Sequence, residues 1–116
     1  MQFFRYERVK SLIHEKLSQL VFKEIEIPGA IITITSVDVS KKLDRAIASV
    51  AVLPPEKAEN VLKVLNAQAP MLQHKLLKII NIKPMPRIMF ERDMGGENAA
   101  RVEKILLEDD IESTKE

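Results

Sequence analysis

A proline falls inside a run that otherwise reads as continuous helix. In LNAQAPMLQHKL (Leu65–Leu76), Leu62 and Leu65 share a face before Pro70, and Leu72, Leu76 and Ile79 share one after it. Proline has no N–H to donate, and its ring clashes with the carbonyl four residues back. One straight helix is therefore excluded. Either a single element bends here, with two packed segments, or the chain makes a helix-turn-helix. Gln68, Ala69 and Pro70 mark the break.

The rest of the chain supplies what those two segments can cover. From about Arg5 to Ile25, Val9, Leu12, Ile13, Leu17, Leu20 and Val21 recur at helical spacing, and Pro28-Gly29 stops the run. AIITITSVDVS (Ala30–Ser40) is rich in β-branched residues and reads as a strand with apolar residues on both parities. KKLDR (Lys41–Arg45) is a polar turn, and AIASVAVL (Ala46–Leu53) a second strand. So short a connection makes the pair antiparallel. Pro54-Pro55 ends it and opens the helix that Pro70 later breaks. RIMFERD (Arg87–Asp93) alternates as a third strand, and Asn98–Glu108 reads as a last short helix. The order is α-β-β-α(kink)α-β: a three-stranded sheet with its long helices on one face, in a two-layer α+β sandwich. The expected core includes Leu12, Leu17, Leu20, Ile34, Val50, Leu62, Leu72, Leu76, Ile79 and Phe90, with Phe22 beside them. Phe3, Phe4 and Tyr6 are expected to form a flap over the first helix.

With 116 residues and 46% hydrophobic content the chain can bury a core as one domain, residues 1–108, followed by an acidic flexible tail, residues 109–116. No apolar run nears the ~18–20 residues that span a bilayer, and the N-terminus has no signal-peptide pattern, so the cytoplasm is the expected compartment. There is no cysteine, and His14 and His74 stand far apart without ligand-like neighbours, so no metal and no cofactor is expected. No phosphate-cradling glycine motif and no nucleophile–base spacing occurs, which argues against an enzyme. The net charge of +1 hides a split. Residues 1–93 carry fifteen Lys/Arg against ten Asp/Glu, and residues 94–116 carry three against seven.

The order of elements and several local segments resemble the ribosome-binding factor A family from Arg8 to about Leu106. Arg8-Val9 opens the first helix as in that family, and KEIEIP (Lys23–Pro28) resembles its helix-ending segment. TITSVDVSKKLDRA (Thr33–Ala46) resembles its T-x-T-x-V-x-V-S-x-D-L-x-x-A strand, and PRIMFERD (Pro86–Asp93) its P-x-L-x-F-x-x-D ending. The family's fold is type II KH-like, with an Ala-x-Gly helix kink in place of the GxxG loop by which KH domains clamp RNA. Here Pro70 stands at the kink glycine, Gln73 where an Arg is usual, Lys42 at the Asp of V-S-x-D-L, and Ile27 at the Asp before the helix-ending proline.

The resemblance implies a non-catalytic factor that binds the small (30S) ribosomal subunit and its 16S rRNA during late maturation, as a monomer, and whose loss matters most in the cold. Phosphate contacts supply most of the affinity in such binding and need clustered cations. The candidates are Arg5 and Arg8 on the first helix, Lys41, Lys42 and Arg45 at the hairpin tip, Lys75 and Lys78 past the kink, and Lys83 and Arg87 at the third strand. A second reading is a small α+β domain that binds a protein, its basic residues incidental.

Overall fold

The 3.6-residue stripe at the start of the chain forms a helix, α1 (Gln2–Glu24), in the computed structural model. The structure describes residues 2–82, 85–95 and 104–106, residues 2–4 as helix backbone only. Two antiparallel strands follow, β1 (Ile31–Val39) and β2 (Arg45–Leu53), paired from Ile31 with Leu53 to Val39 with Ala46. Helices α2 (Ala58–Ala67) and α3 (Ala69–Ile79) lead to β3 (Arg87–Arg92), which lies parallel to β2 with Arg45 opposite Arg87. The sheet order is β1-β2-β3, a three-stranded mixed sheet in an α+β fold of the type II KH-like kind.

The two apolar parities of β1 have one cause. Its register against β2 slips between Ile34 and Ser36, so Thr35 is the extra residue of a β-bulge. The slip carries Ile34, Val37 and Val39 onto one buried face although they differ in parity. They join Ala46, Ala48, Val50 and Val52 of β2 and Ile88 and Phe90 of β3. The alanines keep that face shallow, and the stripe of α1 and the inner faces of α2 and α3 close over it, with Ile13, Leu17, Val61, Leu65, Leu72 and Leu76 fully buried. Removing one such leucine would cost about 2–5 kcal/mol. Two polar contacts seat α1 on β1: Tyr6 Oη donates to the Val39 carbonyl (2.7 Å), and His14 Nε2 donates to the Ile34 carbonyl beside the bulge (2.8 Å). Tyr6 is thus a strut to the sheet rather than a flap; the side chains of Phe3 and Phe4 lie outside the described residues.

Three expectations change. Phe22 is 92% exposed, because it lies a further 100° round α1 from Val21, the last residue of the buried stripe. Ile79 is 51% exposed and Ile80 is buried instead, since α3 continues its four-residue step from Leu72 and Leu76 and the backbone turns extended at Ile80 (φ −108°, ψ 120°). Leu12 and Leu62 are half-buried at the margin of the core. The second face of the sheet is also not bare of helix. Residues 104–106 are helical, and Leu106 and Ile105 pack on Ile47, whose side chain points away from α1, α2 and α3. The remainder of the expected C-terminal helix, and the acidic tail, lie outside the described residues.

The break at Pro70 is a bend within one hydrogen-bonded run. Gln68 stands between α2 and α3 with φ −92° and ψ 0°. Its N–H donates to the Val64 carbonyl (2.9 Å), and its own carbonyl accepts from Leu72 (3.0 Å). Pro70 sits inside the first turn of α3, where a missing N–H costs least. The carbonyl it would have served, that of Asn66, is reached by the Gln68 N–H instead.

Candidate nucleic-acid interface

The turn between β1 and β2 is tied by one buried hydroxyl. Ser40 Oγ donates to Asp44 Oδ1 (2.6 Å) and accepts from the backbone N–H groups of Asp44 (3.2 Å) and Arg45 (3.1 Å). The Ser40 backbone closes the same loop, its N–H on the Arg45 carbonyl and its carbonyl on the Leu43 N–H, both at 2.9 Å. Leu43 takes a left-handed conformation (φ 61°) that costs a non-glycine residue about 1–2 kcal/mol. In exchange, its side chain packs against the core while Lys41 and Lys42 stand exposed at the tip. A further turn contact, from the Arg87 N–H to the Asp44 carbonyl (2.9 Å), fixes β3 to the same corner.

Folding brings α1 to this corner. Arg5, Tyr6, Lys41, Lys42 and Leu43 line a hollow of about 240 Å³. Three cations from two distant parts of the sequence thus surround one concavity. Arg8, exposed and three residues along α1, extends the cluster on the same helix face. On the strand side, Arg45 and Arg87 are register partners.

Arg45 and Arg87 also border a larger groove, of about 670 Å³, that runs beside the helix bend and includes Pro70 and His74. Its floor is held by two side-chain amides that sequence reasoning did not single out as functional. Asn66 Oδ1 accepts from the Phe90 N–H (3.0 Å) and Asn66 Nδ2 donates to the Phe90 carbonyl (3.1 Å). Gln73 Oε1 accepts from the Ile88 N–H (3.1 Å). The pair grips the outer side of β3 from either side of the bend. The signal was present: two amide residues seven apart fall on one helix face, across the proline. Because these contacts hold both segments, Pro70→Ala is expected to keep the bend and to shift stability by less than ~1 kcal/mol, alanine being merely the better helix former. Hydrogen exchange at Ile88 and Phe90, unchanged from the parent protein, would check it.

The other expected contacts separate from this surface. Lys75 Nζ lies 2.7 Å from Glu24 Oε1, a tie between α3 and α1. The hydrogen bond from Lys75 holds the Glu24 carboxyl below its usual range. Lys78 is exposed but borders neither concavity. Lys83 lies outside the described residues. Among the described residues no group of three or more His, Asp or Glu is placed to hold a metal ion, and no helix is long and apolar enough to cross a membrane.

Comparison with known proteins places this arrangement. The sequence profile described as Ribosome-binding factor A matches residues 5–106. A ribosome-binding factor A of Hahella chejuensis is 33% identical over 113 residues, covering 90% of this chain and 84% of that protein. The crystal structure of ribosome-binding factor A from Thermus thermophilus superposes with a TM-score of 0.67 at 19% identity, over 75% of this chain and 93% of that one. A homology model of the T. thermophilus factor, fitted into an electron cryo-microscopy map of a 30S complex, superposes with a TM-score of 0.61 at 20% identity, over 71% and 88%.

Proposed function

For a chain that belongs to the ribosome-binding factor A family, we propose a non-catalytic role: binding the small (30S) ribosomal subunit through its 16S rRNA, as a monomer in the cytoplasm, during late subunit maturation. The observation that carries this reading is the corner where Arg5, Lys41 and Lys42 surround one hollow on a turn tied by Ser40. A rigid turn loses little freedom when it meets phosphates, so its cations bind more favourably than the same residues on a loose loop. Arg8, Arg45 and Arg87 widen the basic surface on two sides of that corner. The match of the family profile over residues 5–106 includes every one of these positions, and the 30S complex fitted with a T. thermophilus relative supplies the partner.

Co-sedimentation tests it. The protein is expected to pellet with purified small subunits and not with large ones. Its affinity should fall roughly tenfold or more between 50 and 200 mM salt, as counterion release at three or more phosphates requires. Equal binding to both subunits would defeat the proposal. A salt-independent affinity would favour a protein partner across an apolar interface. By the same reading, a strain lacking the protein should accumulate untrimmed 16S precursor most strongly in the cold.

A further inference from the structure

We propose that the hollow at the β1–β2 turn takes the phosphate at the end of an RNA chain, a phosphomonoester, in preference to a phosphodiester within the chain. The inference rests on the reading that the chain binds ribosomal RNA, and it names the part of the RNA that this corner selects. The hollow's volume of about 240 Å³ is below the ~300–1,000 Å³ of pockets that enclose a small ligand. Its size suits one charged group rather than a whole nucleotide. Its walls offer little besides charge. Tyr6 commits its hydroxyl proton to the Val39 carbonyl, and Leu43 is apolar. No neutral side-chain donor is left there to read a base, so recognition is by charge.

What the hollow does offer is three cations without acidic partners. The fold pairs cations elsewhere. Lys10, one turn beyond Tyr6 on α1, lies 3.9 Å from Asp38 and 5.3 Å from the centre of the Tyr6 ring, and Lys75 lies 2.7 Å from Glu24. Among the described residues no carboxylate pairs with Arg5, Lys41 or Lys42. A phosphate within an RNA strand is a diester, with a single negative charge and two free oxygens. A phosphate at a chain end is a monoester, with a charge of about −1.5 to −2 at pH 7 and three acceptor oxygens. Three cations around one small concavity match the second, in charge and in acceptors. Arg5 can engage two oxygens with its planar fork, and each lysine acts as a point charge. Cations that follow a strand are strung along a groove that tracks its backbone. These three, drawn from α1 and the turn, gather at one hollow instead.

Three versions of one single-stranded RNA dodecamer with the same internal fluorophore test this: one with a 5′-phosphate, one with a 3′-phosphate, and one with hydroxyls at both ends. Anisotropy titrations at 0.1 M salt are expected to show at least one phosphorylated form bound roughly tenfold more tightly than the hydroxyl form, as one to two further exposed charge contacts would give. Gain by the 5′ form, the 3′ form or both supports the site and tells which end it takes. With Lys41→Gln and Lys42→Gln together the preference should fall below about threefold while circular dichroism shows the fold intact, since both residues are exposed. Lys78→Gln removes a cation that borders neither concavity and should leave the preference in place. Equal affinity for the three forms overturns the proposal, as does a preference that survives the double variant or that Lys78→Gln abolishes. A protein that pellets with small subunits but binds no dodecamer, or shows no preference among them, overturns the terminal-phosphate site and leaves the subunit-binding reading standing. Failure with all three RNAs and with subunits overturns the two together.

Discussion

Reversing the corner charges in Arg5→Glu, Lys41→Glu and Lys42→Glu together is expected to lower affinity for small subunits by roughly a hundredfold or more at 0.1 M salt. An exposed pair of charges at contact distance is worth about 1 kcal/mol, and reversal turns each attraction into a repulsion. Loss of the three attractions alone sums to about 3 kcal/mol, to which the repulsions add, and each 1.4 kcal/mol is tenfold in affinity. The fold should survive. All three residues are exposed, and the turn is held by Ser40, Asp44 and backbone groups that the substitutions leave in place. Stability should move by no more than ~0.5 kcal/mol per site. Quantitative co-sedimentation beside urea denaturation separates the two effects. The deficit should shrink as salt is raised to 0.5 M, where the Debye length falls well below its value of about 10 Å at 0.1 M. Undiminished binding at low salt would move the contact surface away from this corner.

Asn66→Ala is expected to lower stability by about 1–3 kcal/mol. It removes two hydrogen bonds at once and leaves the Phe90 N–H and carbonyl, beneath the bent helix, without partners. An unmade bond at a part-buried group costs its desolvation, about 1–3 kcal/mol, which exceeds the net worth of a made one. Asn66→Asp is the sharper probe. A carboxylate can still accept from the Phe90 N–H but faces the Phe90 carbonyl with nothing to donate, so this near-isosteric change should lose stability too. Hydrogen exchange should locate the damage, with protection lost at Phe90 and Ile88 before the β1–β2 pair. An Asn66→Ala protein as stable as the parent would return the cause of the bend to Pro70.

That comparison shows what the sequence could tell. The order of elements was legible because each has a period or a stop: the stripe from Val9 to Val21, the β-branched run Ile31–Val39, the polar turn, and the alternation from Arg87. The bend was legible as a position, since no helix passes a proline undisturbed. Its mechanism was not. The grip of Asn66 and Gln73 spans 24 and 15 residues to β3, and only the fold joins them. The bulge at Thr35 was hidden for a related reason. Apolar residues on both parities read as two half-buried faces, whereas a one-residue slip in register puts them on a single one. Phe22 and Ile79 were misplaced because a stripe's margin is set by the neighbouring element and not by hydrophobicity. At the interface, the tip lysines and Arg5 were legible as cations, and their meeting around one hollow was not. Lys75 shows the limit of charge alone: Glu24, far from it in sequence, claims it for a tie between helices.

The outer side of β3 has a further consequence, for how this protein lives among other chains. A three-stranded sheet has two edges, and an unpaired edge is a template for a foreign strand, the first step toward aggregation or domain swapping. The fold blocks its two edges by different devices. Along β1 the bulge at Thr35 bends and twists the strand, so that a flat partner cannot follow it. Along β3 the amides of Asn66 and Gln73 already occupy the groups an incoming strand would need. An assembly factor must work in a crowd of partly folded ribosomal proteins with exposed strands of their own. The same grip that bends the helix keeps this sheet from recruiting them.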